Sequence, residues 1–461
     1  MNRREFLIST GTALGCGAAG GFALASSDNP QIHNLKLQAA KFRLRQNVTS
    51  GMVSLSPDEP PPILYAKQGE PVSFNVTNGL DEYTAMHWHG IRLPNAMDGV
   101  PYLTQFPIAG QETYAYQFTP PDAGTYWYHP HCMTMTQMAR GLTGVLVIRE
   151  PEDPGFDSER IINLRDFRLA EDDSFLPPYT LKNAARGGTL GNVLTANWLI
   201  EPVYEHQAGS LVRLRLANTD TTRLYGIFLD GADGKIIALD GHPVDEKMQT
   251  PAPKRPIALG PGQRADVAVQ MPKNEGAEIS IVAFRRNGNT TMAKLRSIGT
   301  DAKRSLAELK PLPRNPIAVP DMGNAQTHEF VFGWSPGGEK PRDGFCGSMG
   351  ATFWSINRTP WPGDAATDAG PLANLDLGKT YILRLRNESP NYHPVHLHGL
   401  VFLPLKSNKR KLQQNWTDTV IIFKDEIIDV ALVADNPGDW AFHCHLIEHQ
   451  KTGLAGYIRV S

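Results

Sequence analysis

Residues 441–454 read AFHCHLIEHQKTGL, which sets His443 and His445 on either side of Cys444 and adds His449 five residues beyond the cysteine. In a β-strand successive side chains leave on opposite faces. The two flanking histidines then share one face and the thiol serves the other, so one strand feeds two separate sites. An isolated histidine is ordinarily a surface or satisfied core residue. Here the spacing recurs as His87-Trp88-His89, His129-Pro130-His131 and His396-Leu397-His398. Random placement of 14 histidines in 461 residues produces only about 0.4 such pairs, so the pattern is read as functional.

Imidazoles at alternate strand positions, repeated on several strands, can surround more than one metal ion with nitrogen donors. The Cys444 thiolate points to copper: a His₂Cys set with a weak or absent axial ligand is the blue-copper arrangement, whereas structural zinc favours closed tetrahedral sets. The chain has no CxxC.

Composition agrees with a large globular protein of about three ordinary domains, 41% hydrophobic and 20% charged. The 36 prolines and 42 glycines, with short alternating segments such as SFNVTN, YAYQF and LVRLRLAN, favour β-sandwiches. The amino terminus reads as an export signal instead. Twin arginines at Arg3 and Arg4 precede an apolar stretch ending in Ala23-Leu24-Ala25, so residues 1–25 are expected to be a twin-arginine leader. That route delivers the protein to the periplasm. Loss of Arg3, Arg4 and Glu5 takes the formal charge from −2 to −3. No long basic run survives to bind nucleic acid, and no stable membrane anchor is expected.

Cys132, Cys346 and Cys444 remain after the leader. Three cysteines exclude a disulfide framework; free buried thiols are the expectation, with a single Cys132–Cys346 bridge left open.

Internal comparison shows one unit used three times. PVSFNVTNG precedes MHWHG, SLVRLRLANTD precedes IFLDG, and TYILRLRNESP precedes VHLHG, with the closing glycine 12 or 13 residues after Asn78, Asn218 or Asn387. DAGTYWYHPHC likewise matches NPGDWAFHCHL, pairing His129 with His443 and His131 with His445. The middle unit has Phe228 and Asp230 in place of histidines and is expected to bind no copper. Boundaries are expected near residues 150–157 and 311–321, giving domains at 33–150, 155–315 and 322–461.

With HWHG, HPH, HPVHLHG and HCHLIEH in order, residues 35–461 resemble the three-domain multicopper oxidases, the laccase-like family. The resemblance implies an all-β chain of three cupredoxin-like Greek-key sandwiches. It implies a type 1 copper on His393, Cys444 and His449, with Leu454 at the axial position. His87 and His396 match the type 2 ligands. His89, His129 and His443 are expected at one type 3 copper, and His131, His398 and His445 at the other. Dioxygen is then reduced to water at the trinuclear cluster, using electrons from a small donor: a phenol, an aromatic amine or Cu(I). Asp98, in NAMDGVP, resembles the acidic residue that supplies protons there.

Three departures stand out. Gln450 occupies the place of a proton-passing glutamate, with Glu448 offset from it. Leu454 replaces an axial methionine, and no methionine-rich insertion of the cuprous oxidases is present. The readings are a laccase-like oxidase first, a cuprous-ion oxidase second, and a non-enzymatic copper-binding or structural protein third. The complete ligand set weighs against the third. Met133, Met135 and Met138 are assigned to core packing, residues 406–411 (KSNKRK) to a solvated hairpin, and His33, His206, His242 and His328 to no site.

Overall fold

The computed structural model describes residues 30–461 except 233, 245–253, 286–287, 338–339 and 366–367. The expected leader lies outside the described residues. Among the described residues six β-sheets, two for each repeat unit, span residues 31–149, 158–298 and 326–460.

Each unit begins alike. A long first strand pairs in parallel with the strand that ends in the repeat asparagine: Gln31–Phe42 with Val72–Asn78, Ser158–Phe167 with Leu211–Asn218, and Gln326–Trp334 with Thr380–Asn387. A second parallel pair closes each opposite sheet: Leu64–Lys67 with Gly144–Arg149, Val203–Gln207 with Thr290–Ile298, and Ala373–Leu375 with Ala455–Val460. These pairings, with antiparallel neighbours filling the rest, produce three cupredoxin-like sandwiches.

The repeat asparagines are structural. Asn78, Asn218 and Asn387 are buried, and a buried amide must find partners. Each side-chain oxygen accepts from the backbone N–H two residues on. Each Nδ2 donates to carbonyls of the following turn and of a neighbouring segment, reaching Ile108, Leu259 and Ile422. The corner so made aims the next strand, Met86–His89, Tyr225–Asp230 or His393–Leu397, across the sandwich.

The first and third sandwiches share one continuous apolar core, including Trp88, Tyr128, Val395, Phe442 and Leu454, while the middle sandwich has its own. Cys132 and Cys346 are joined in a disulfide across 214 residues, which corrects the expectation of free thiols. Separation along a chain carries no information about Cα proximity; the fold sets these Cα atoms 4.6 Å apart. The bridge ties the segment after His131 to the third sandwich. Met135 and Met138 pack with Trp127 and Ile447 as core residues. In the basic hairpin, Lys406 pairs with Asp429 and Arg410 with Glu426.

Candidate metal centres

Strand register sorts the histidines. In the third sandwich Val395 lies opposite Cys444 and His396 opposite His443. Alternation then puts His393 on the cysteine's face, and His396 and His398 on the face of His443. The three-residue step from His393 to His396 moves the imidazole from one face of the strand to the other. In the first sandwich His87 lies opposite His129, and Pro130, opposite Met86, stands where the third has its cysteine.

The structure brings all eleven expected ligands into buried groups. His393, Cys444 and His449 form one; His87, His89 and His396, then His89, His129 and His445, then His131, His398 and His443 form a contiguous set, with ligand atoms in each group within 4.8 Å of one another. This grouping exchanges His443 and His445 relative to the expectation. The ring of His445 lies 5.3 Å from that of His129 and 4.8 Å from that of His89, whereas His443 lies 5.5 Å from His131 and 5.1 Å from His398. The cause is the approach of the two strands: the first histidine of one meets the second of the other, as across a local twofold axis. Sequence matching pairs like with like and misses this. His33, His206, His242 and His328 join no metal-capable group among the described residues.

Hydrogen bonds show which nitrogen of each ring faces inward. A carbonyl oxygen can only accept, so a ring nitrogen bonded to one carries the proton and leaves its partner nitrogen a lone pair. His87 Nδ1 donates to the Asp98 carbonyl at 2.8 Å, His129 Nδ1 to Pro130, His396 Nδ1 to Asp418 and His443 Nδ1 to Cys444. Among the described residues the Nε2 atoms of His87, His129 and His396 have no hydrogen-bond partner, nor does either nitrogen of His445. His398 Nδ1 meets Asp98 Oδ2 at 2.9 Å, which leaves its Nε2 facing His443 Nε2 at 3.0 Å. Likewise His393 Nδ1 faces His449 Nδ1 at 3.0 Å, with Cys444 Sγ 3.5 and 3.7 Å from them. Lone pairs aimed at one another in a buried space fit a cation held between them.

Burial pushes His89, His129, His131, His393, His398, His443 and His445 well below the usual imidazole range, and His449 to about 4. The rings are therefore neutral, as metal ligation requires. Burial also pushes the Cys444 thiol up; a bound metal displaces that proton.

The expected auxiliary residues are placed as follows. Asp98 is buried between His87 and His398, with Oδ1 3.2 Å from His87 Nδ1. Gln450 Nε2 lies 3.3 Å from His131 Nε2. Leu454 is fully buried, donates its N–H to the His449 carbonyl and accepts from the Cys444 N–H. Glu448 turns away and accepts from Thr189 of the middle sandwich; burial raises its carboxyl to about 7.

Sequence reading missed Asp418 and Arg264. Asp418 Oδ1 accepts from His89 Nε2 at 3.0 Å, its carbonyl accepts from His396, and Arg264 of the middle sandwich grips both carboxylate oxygens at 3.0 and 2.7 Å. Burial works against the charge on Asp418, but Arg264 and the facing His89 override it and hold the carboxyl well below the usual range. A lone aspartate in WTDTV carries no spacing signal that could have found it. Gly262 is a further contribution of the middle sandwich. At φ +93° it passes so close that a Cβ would sit 2.9 Å from the His89 ring.

Comparisons agree with this geometry. Two family models described as multicopper oxidase match residues 36–153 and 343–461. A multi-copper oxidase from Pseudomonas thermotolerans superposes with a TM-score of 0.82 at 37% identity, covering 94% of this chain and 100% of that one. One from Pseudomonas parafulva gives 0.81 at 37%, covering 93% and 100%. The multicopper oxidase MmcO of Mycobacterium tuberculosis is 29% identical over 434 residues, 86% of this chain and 80% of that protein. Fold, ligand groups and relatives converge: the chain belongs to the multicopper oxidase family.

Proposed function

We propose that His393, Cys444 and His449 hold the type 1 copper and collect electrons singly from phenols or aromatic amines, while the eight-histidine group holds the type 2 and type 3 coppers. Copper, when bound, supplies the one-electron redox chemistry that couples oxidation of a donor to four-electron reduction of dioxygen to water. The chain supplies the connection. Cys444 belongs to one group and its covalent neighbours His443 and His445 to the other, and this continuity is the observation that carries the reading.

The remaining roles follow from position. Leu454, buried next to this group, would present only an alkyl side chain to a copper held there and would donate nothing to it. Asp98, fixed by His398, holds a proton-exchanging carboxyl beside the cluster. Gln450 cannot titrate, which concentrates proton delivery on Asp98. The three sandwiches are taken as domains 33–150, 155–315 and 322–461. Export to the periplasm by the twin-arginine leader is supported by the Cys132–Cys346 disulfide, since such bonds persist in oxidising compartments. Among the described residues no helix is long and apolar enough to cross a membrane.

Copper content and the visible spectrum test the reading. Cys444→Ser is expected to abolish the intense blue absorption and the oxidase activity while the histidine group still binds copper. Normal turnover in that variant refutes the route. Phenol oxidation that depends strongly on added Cu(II) would favour a cuprous-ion oxidase instead.

A further inference from the structure

The proposed type 1 group is closed to solvent. His393 and His449 are each 0% exposed, His393 Nε2 meets Ser389 Oγ at 2.7 Å, and His449 Nε2 donates to the Arg186 carbonyl at 2.5 Å. No imidazole edge is open for a donor to touch.

An aromatic path leads out of it. Trp354 is fully buried and anchored by Nε1 donating to the Ala184 carbonyl at 2.8 Å. Its ring lies 4.4 Å from that of His449 and 5.3 Å from that of His393. Trp334, its cross-strand neighbour, stacks on it at 4.3 Å with the planes 14° apart, and is 46% exposed. A half-exposed indole is an uncommon use of the largest apolar side chain. Here it extends a contiguous ring stack from the surface to a ligand of the type 1 group.

We propose that aromatic one-electron donors dock by stacking on the exposed face of Trp334, and that the Trp334–Trp354 pair couples them electronically to His449. The inference rests on the reading of His393, Cys444 and His449 as the type 1 copper site. One electron leaves the phenol, its O–H proton passes to solvent water, and the electron reduces Cu(II) to Cu(I) at that site. Both indoles remain closed-shell bridges throughout. The flat, electron-rich face selects planar aromatic donors through offset stacking. A cavity of about 510 Å³, lined by Met133, Phe175, Leu176 and Pro177 together with Arg165 and Asp166, is the competing docking place, and neither Trp334 nor Trp354 lines it.

The test uses the copper-loaded protein and 2,6-dimethoxyphenol. Anaerobic stopped-flow bleaching of the blue band gives a limiting rate, and calorimetric titration of the phenol into reduced, oxygen-free protein gives a binding constant without turnover. Trp334→Leu keeps Trp354 covered but removes the ring. It is expected to leave the blue spectrum unchanged, to weaken binding by about two- to tenfold and to slow bleaching about tenfold. Trp334→Phe restores a stacking ring and should stay within about twofold of the unaltered protein. Unchanged binding and bleaching in Trp334→Leu overturn the proposal, as does a Trp334→Phe variant as impaired as Trp334→Leu. Absence of a blue band or of phenol oxidation in the unaltered protein overturns the copper reading itself, and the inference with it.

Discussion

Replacing Asp418 by Asn tests whether the middle sandwich supports the histidine cluster through Arg264. Asp418 Oδ2 receives Arg264 Nη2 at 2.7 Å, while Oδ1 receives Arg264 Nη1 and His89 Nε2, each at 3.0 Å. All three residues are fully buried. An amide has the same shape but only one acceptor oxygen, so either its NH₂ confronts the guanidinium or the oxygen abandons His89. Removing one partner of a buried ion pair costs about 3–5 kcal/mol. Arg264 keeps Asp240 at 3.4 Å, which places the loss near the lower end, about 3 kcal/mol. Loosening the acceptor that fixes the His89 ring should also weaken copper binding there by about 10–100-fold. Denaturant unfolding of the copper-free variant measures the first effect, and copper retention against a chelator measures the second. Pairing the change with Arg264→Met removes both charges and should recover much of the stability. An unaltered unfolding midpoint together with full copper retention in Asp418→Asn would refute the argument that Arg264 positions the cluster through Asp418.

Leu454→Met nearly conserves volume and should fold normally, yet offers a thioether beside Cys444. Redox titration is expected to show a lower type 1 potential, and an unchanged or higher one removes Leu454 from the axial direction. Asp98→Asn should slow reoxidation of the reduced protein by dioxygen about 100-fold while leaving donor-driven bleaching intact; unaffected reoxidation places proton entry elsewhere. Replacing Cys132 and Cys346 together by Ala opens a link across 214 residues and should lower unfolding free energy by about 2–4 kcal/mol, with equal midpoints counting against a formed bridge. Burial, aided by Arg160, lowers His206 from 6.5 to about 4, so the unfolded chain takes up the proton first. Its contribution to stability is complete above pH 6.5 and is lost as pH falls toward 4. His206→Asn should flatten that slope, and an identical pH profile would show that His206 does not titrate on unfolding.

The features legible in the sequence are those set by short-range geometry. Strand alternation alone separates Cys444 from His443 and His445, because the period of two is a property of any extended backbone. It also explains why His393 and His396, three apart, join different side-chain groups. The repeated Asn corners and the all-β class follow from local pattern in the same way.

Tertiary structure decided whatever depends on how separate sandwiches meet. The strands bearing His129 and His443 approach as if related by a twofold axis, and this gives His445 to His89 and His129, and His443 to His131 and His398. The Cys132–Cys346 bridge, the grip of Arg264 on Asp418 and the burial of His449 beneath the Arg186 carbonyl join residues more than 150 positions apart. No local pattern encodes such pairings, because they arise only when the first and third sandwiches pack on one another and against the middle one.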